Sequence, residues 1–211
     1  MKHVSLDLIN GLYERACAGK YSSDPVMQEF FSNPHFAGIM DNFSFEHAAY
    51  HPVYPFLFAL AREMEPSFIL ELGTELGRGM CSMHLGWPHS PIVSVDFLEV
   101  TGPSTFVEPA AVPGMWSLLC AESVEFAMQN PDQKIDLLLI DSAHTYDVTL
   151  NEWKLYRPMM RAGGAICFDD LDCEGVRDVW NQEVDSAVDI KMELPSLHPG
   201  MSFGVVLIGE L

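Results

Sequence analysis

The sequence predicts an α/β three-layer sandwich, in which a mostly parallel sheet lies between two layers of helices. Three observations predict it. Short apolar runs alternate with helical segments from Phe68 to Val184, the order a parallel sheet requires. One run, Lys134-Ile-Asp-Leu-Leu-Leu-Ile-Asp141, is nearly continuous in apolar residues, as in a parallel strand buried on both faces. Two further runs, Val188 to Leu194 and Phe203 to Ile208, follow one another with no helix between. They place one antiparallel strand in a C-terminal hairpin.

At 211 residues the chain reads as a single domain, with residues 1–65 as an N-terminal helical extension and residues 66–211 as the main body. Val4, Leu8 and Leu12 share one helical face. Ser23-Asp24-Pro25 marks a helix start, with proline at the first helical position. Asn33-Pro34 and Asp41-Asn42 are turn signals in an irregular stretch. Pro52 then opens a helix whose Val53, Leu57, Leu60, Ala61 and Met64 recur at helical spacing, and Pro66 stops it.

Phe68 to Leu72 is the first strand. Gly73, Gly77 and Gly79 follow, and Met80 to Leu85 continues as a helix. Pro91 to Asp96 is the second strand. Residues 97–116 carry Pro103, Pro109, Pro113 and Gly114 without periodicity, a length and composition typical of a lid or binding loop. Ser117 to Cys120 is the third strand, with a helix from Ala121 to near Asn130. After the fourth strand, 134–141, a helix is expected from Asp147 to Met160. Arg161-Ala-Gly-Gly164 then closes it and turns into a fifth strand, Ala165 to Phe168. A helix over Gly175–Val184 precedes the hairpin.

Composition excludes some partners. Thirty acidic residues against eleven basic ones give a net charge of −19. Such a field repels phosphate backbones and anionic lipid, so neither nucleic acid nor a membrane surface is an expected partner. The longest apolar runs are too short to span a bilayer. The five cysteines (17, 81, 120, 167 and 173) are odd in number and lack C-x-x-C spacing. They read as reduced, which with no signal-peptide pattern points to the cytoplasm. A homo-oligomer is compatible with the sequence.

The chemistry begins at Glu71-Leu-Gly-Thr-Glu-Leu-Gly-Arg-Gly79. A strand, a glycine turn and a helix N-terminus offer a ligand close backbone approach and free N–H groups. The glycines at 73, 77 and 79 do not fit G-x-G-x-x-G, so the dinucleotide fingerprint fails. Glu71 is a carboxylate in a strand that should be buried, where it needs a partner. The pattern E-x-G-x-x-x-G resembles the first motif of the class I S-adenosylmethionine (SAM) methyltransferases, whose sheet also has seven strands. The resemblance implies that Glu71, Gly73, Thr74 and Gly77 serve the methionine part of SAM. Asp96 ends the second strand 23 residues after Gly73, where an acid can bond both ribose hydroxyls. The turn after the third strand meets adenine in that family, which makes Ala121, Glu122 and Ser123 candidates. Ser123 is equally a helix N-cap.

A second constellation lies further on. Asp141 ends the fourth strand and Asp169-Asp170 end the fifth. In an open parallel sheet these acids converge at one edge, where they need a cation or a shifted protonation. All-oxygen donors favour Mg²⁺, Ca²⁺ or Mn²⁺. His144, three residues after Asp141, is a candidate general base. His47 and His51 have a metal-ligand spacing too, but Pro52 interrupts the helix they would share.

The runs Leu139-Ile-Asp-Ser-Ala-His-Thr-Tyr146 and Arg161-Ala-Gly-Gly-Ala-Ile-Cys-Phe-Asp-Asp170 resemble the metal-dependent macrolide sugar O-methyltransferases and the related cephalosporin-hydroxylase-like proteins. Asp169 and Asp170 follow Asp141 by 28 and 29 residues, the spacing of that subgroup's metal acids. The resemblance spans residues 52–184. It implies Mg²⁺ on Asp141, Asp169 and Asp170, with Asp141 also near SAM and His144 as base. This chain departs in having Asp-Asp where the macrolide enzymes have Glu-Asp. The expected activity is O-methylation of a small hydroxylated molecule, a sugar or natural product. Two alternatives stand beside it: a SAM-binding regulatory or assembly protein without catalysis, and a nicotinamide-dependent oxidoreductase.

Overall fold

The structure is a computed structural model that describes residues 1–18, 20, 24–25, 52–75, 77–98, 115–194 and 202–209. The turns expected at 33–34 and 41–42, His47, His51 and most of the 97–116 loop lie outside the described residues. Within them the order is α1 (Leu6–Cys17), α2 (Val53–Met64), β1 (Ile69–Leu72), α3 (Arg78–Gly86), β2 (Ile92–Asp96), β3 (Trp116–Cys120) and α4 (Ser123–Gln129). Then come β4 (Ile135–Ile140), α5 (Tyr146–Tyr156), a 3₁₀ turn (Arg157–Met159), β5 (Met160–Phe168), α6 (Glu174–Gln182), β6 (Ile190–Leu194) and β7 (Phe203–Leu207).

The seven strands form one sheet in the order β3-β2-β1-β4-β5-β7-β6. β7 runs antiparallel to both its neighbours, and the other pairings are parallel. Strand alternation divides the core in two. Leu137 and Leu139 face a cluster built with α1, α2 and α3. Leu138 and Ile140 face a cluster built with α4, α5 and α6. Helices therefore cover both faces, and the expected three-layer sandwich is what forms. Each fully buried Phe, Leu or Ile in these clusters contributes on the order of 1.5–3 kcal/mol. No helix of the described residues is long and apolar enough to cross a membrane.

Local chemistry sets the element ends. Ser5 caps α1 by accepting the Leu8 N–H at 3.2 Å. The buried stripe of α1 is Ile9, Leu12, Tyr13 and Ala16, so Val4 and Leu8 pack only at its margin. Val4 precedes the cap, and Tyr13 fixes the helix rotation by an edge contact with Phe56, 5.7 Å between ring centres. α2 stops where Glu65 turns left-handed (φ 48°) ahead of Pro66.

One junction differs from expectation by more than two residues. α5 ends at Tyr156 rather than Met160, and Arg157–Met159 tightens into a 3₁₀ turn around Pro158. The proline has no N–H to extend the α-helical ladder. Arg161-Ala-Gly-Gly164 is consequently not a turn but the first half of β5. Met160 pairs with Ile135, the register then slips, and Ala165 pairs with Leu137. Gly163, at φ 77°, absorbs the bulge.

Candidate functional site: a cavity at the carboxyl edge of the sheet

Parallel pairing brings the carboxyl ends of β1, β2, β4 and β5 to one edge. The ladders continue past the strands and fix the residues that follow. Gly73 N donates to Val95 O at 2.8 Å, Asp141 N to Leu72 O at 2.9 Å, Asp169 N to Ile140 O at 3.0 Å and Ala121 N to Asp96 O at 2.9 Å. A cavity of about 510 Å³ opens above them. Gly73, Asp96, Ala121, Glu122, Ser123, Asp141, His144, Asp169 and Asp170 all line it, so nine of the expected site residues meet in one place. Glu71, Thr74 and Gly77 do not line it; they lie behind the loop and shape it.

That loop is built on positive φ. Gly73 (φ 91°) passes so close to β4 that a Cβ there would collide with the Asp141 carbonyl oxygen. Gly77 (φ 73°) precedes α3 and donates to Thr74 O at 2.6 Å. Asp96 Oδ2 accepts from Thr74 N at 2.9 Å and Glu75 N at 3.1 Å, and its Oδ1 accepts from Leu98 N at 2.9 Å. Asp96 thus holds the loop in addition to facing the cavity. Below it, Thr74 Oγ1 lies 2.6 Å from Ser94 Oγ, and Ser94 Oγ donates to Glu71 Oε2. Glu71 is 1% exposed. Burial pushes its carboxyl from the ordinary 4.5 up to about 8, against the hydrogen bonds from Ser94 and from the Met80 N–H. A Cβ on Gly79 would collide with Glu71 Oε1, so the third glycine of the motif makes room for the acid.

The other half of the cavity is differently balanced. His144 Nε2 lies 3.4 Å from Asp141 Oδ1 and 3.3 Å from Asp170 Oδ2. The nitrogen is buried and aligns with neither oxygen well enough for a hydrogen bond. The attraction of Asp141, then Asp170 and Asp169, still holds the imidazole above its ordinary 6.5 against burial. Asp169 is raised to about 8 by burial first, then by Asp141 and Asp170. Asp141 is raised by burial and by Asp170, while His144 opposes the shift. Asp170 itself adopts φ 51°, a strained conformation for a residue with a side chain. The chemistry of Asp141, Asp169 and Asp170 suits a hard cation, because a positive ion would offset carboxylates gathered at one edge with a single imidazole between them. The metal-type grouping whose donor atoms all lie within 4.8 Å of one another is a different one, His144, Asp170 and Cys173, among the described residues.

Of the lining residues that the sequence did not single out, two bear on the chemistry. Glu152 is 1% exposed and accepts from Ser142 Oγ at 2.7 Å. Burial raises it. Its signal was present: Thr149, Glu152, Trp153 and Tyr156 form the buried face of α5, and an acid on such a face needs a reason. Tyr54, on α2, meets Arg78, and its phenol is pushed up by burial against that guanidinium. Nothing in its surroundings in sequence distinguishes it from a core aromatic.

Comparison with known proteins agrees with this geometry. Residues 70–171 match the family model of a methyltransferase domain. A search of curated protein sequences finds no match. Among solved structures, one from Klebsiella pneumoniae assigned as an O-methyltransferase superposes with a TM-score of 0.71 at 16% identity, covering 95% of this chain and 100% of that one. An O-methyltransferase from Bacillus cereus in complex with SAH gives 0.61 at 16% identity, over 92% and 99% of the two chains. CalS11, a TDP-rhamnose 3'-O-methyltransferase of calicheamicin biosynthesis, gives 0.60 at 17% identity, over 96% of each chain. At such identity these likenesses establish the fold. The glycine turn and strands β2 to β5 fall within the residues that match the methyltransferase-domain model, 70–171, and the fold is the one these solved O-methyltransferase structures share.

Proposed function

We propose that this protein is a SAM-dependent O-methyltransferase that acts on a hydroxyl of a small molecule, with His144 as general base and a hard divalent cation such as Mg²⁺ held by Asp141, Asp169 and Asp170. The observation that carries the reading is that Gly73 of the glycine turn, Asp96, Asp141 and His144 line a single cavity. SAM would place its methionine end at Gly73, its ribose at Asp96 and its adenine by Ala121, Glu122 and Ser123. When bound, the cation would offset the carboxylates and favour the ionised form of the acceptor hydroxyl. His144 Nε2 takes the hydroxyl proton. The oxygen lone pair then forms a bond to the methyl carbon as its bond to sulfur breaks, leaving SAH. The protein's share is alignment of the two reactants and exclusion of competing geometries.

Charge narrows the acceptor. The lining includes seven carboxylates, from Glu75, Asp96, Glu122, Asp141, Glu152, Asp169 and Asp170, and no lysine or arginine among the described residues. Segments 26–51, 99–114 and 195–201 contain no lysine or arginine either. A phosphate-bearing acceptor would find no basic clamp, so the reading favours a neutral or cationic hydroxyl compound over a nucleotide-activated sugar. Calorimetry with SAM and Mg²⁺, followed by methyl transfer from labelled SAM to a panel of neutral and phosphorylated hydroxyl compounds, tests this. SAM that fails to bind removes the whole reading, and full turnover in EDTA removes the cation.

A further inference from the structure

We propose that His144, Asp170 and Cys173 form a site for a thiophilic divalent ion, of which Zn²⁺ is the type, distinct in donor chemistry from the three-aspartate set. The donor atoms of these three side chains all lie within 4.8 Å of one another. Nε2 and the Asp170 oxygen are 3.3 Å apart, close to the separation of two ligands on one tetrahedral ion, for which bond lengths run about 2.0–2.3 Å. The Nε2 nitrogen is buried and makes no well-aligned hydrogen bond, so an incoming ion that displaces its proton gains a ligand already beside the Asp170 carboxylate.

The turn that carries the other two donors is pinned. Cys173 N donates to Asp170 O at 2.8 Å, Leu171 N to Ser202 O at 2.9 Å, and Arg177 Nε to Leu171 O at 2.8 Å. Nitrogen, oxygen and sulfur together select a borderline-soft ion over Mg²⁺. His144 and Asp170 also line the cavity, from which water or a substrate oxygen would supply a fourth ligand. On binding, the Cys173 thiol releases its proton to solvent and ligates as thiolate, with no change of oxidation state.

The site shares Asp170 with the hard-cation set and consumes the Nε2 lone pair. Occupancy by Zn²⁺ therefore withdraws the base and displaces the activating cation, which makes the ion an inhibitor. That effect on turnover rests on the O-methyltransferase reading; the binding itself does not.

Co²⁺ is the probe, titrated against the full chain without SAM. One equivalent is expected to produce a thiolate-to-cobalt charge-transfer band and tetrahedral visible bands. Cys173→Ser is expected to lose the charge-transfer band and to bind at least about tenfold more weakly, the loss that even an outer-sphere partner produces. His144→Ala is expected to weaken binding while keeping a thiolate band, and thermal melting of both variants reports whether they fold. Zn²⁺ is expected to inhibit methyl transfer by the parent protein far more than by Cys173→Ser. A band that persists in Cys173→Ser, or cobalt bound by the parent without a thiolate band, overturns the site. Failure of SAM to bind leaves the cobalt result standing and removes only the inhibitory consequence.

Discussion

The two halves of the cavity handle negative charge in opposite ways. On the β1–β2 side, Asp96 accepts three backbone N–H groups and Glu71 is held by Ser94 and the Met80 amide. On the β4–β5 side, Asp141, Asp169 and Asp170 face one another with a single imidazole between them. The first half is complete in itself and is shaped like a socket. The second is electrostatically unfinished, and Asp169, raised to about 8, holds a proton that an incoming cation would displace. A preformed socket suits the constant reactant, and an uncompensated cluster suits the reacting centre.

Substitutions can break or sharpen that contrast. The largest effect is expected at His144→Ala. Loss of a general base lowers kcat by roughly 10²–10⁴, while SAM affinity measured by calorimetry stays near that of the parent; equal loss of both would assign His144 to the socket. Asp96→Ala should do the reverse. Hydrogen bonds to a charged group are worth about 1.5–3 kcal/mol each, so SAM binding is expected to weaken by about tenfold or more, with the three-aspartate side left to bind Mg²⁺ unchanged. Next comes Gly73→Ala, which forces a side chain onto left-handed backbone against the Asp141 carbonyl. Denaturant unfolding should register a loss of about 1–3 kcal/mol.

The smallest effect is expected at Glu71→Gln. Glu71 binds a proton up to about 8 in the folded chain against 4.5 when unfolded. The unfolded chain therefore releases that proton first as pH rises, and the group's contribution to stability falls between those two values. The glutamine variant should flatten this part of the curve of melting temperature against pH. A curve that falls as steeply as the parent's would place the titrating group elsewhere.

Much of this was legible in the chain itself, for physical reasons. β4 announced itself because burial on both faces demands an unbroken apolar run. Asp96, Asp141 and Asp169 were legible because a parallel sheet places every strand's carboxyl end on one edge. The start of β5 was not, because Gly-Gly before an apolar run has the composition of a turn whether it turns or bulges. Only the register against Ile135 and Leu137 decides between them. Glu152, Tyr54 and Cys173 were missed because they reach the site or its rim from helices and turns flanking the strands, where position depends on packing rather than on local pattern.

β7 has a consequence for the order of assembly. It is the last strand in the sequence yet it sits inside the sheet, between β5 and β6. A chain emerging from the ribosome must hold β5 open on one side, with a slot one strand wide, until residues 203–207 arrive. The same late segment supplies Ser202, whose carbonyl anchors Leu171 and whose amide meets Asp172 at 3.3 Å. The acidic turn beside the cavity is therefore among the last parts to settle, and the growing chain acquires the proposed reactive centre after its scaffold.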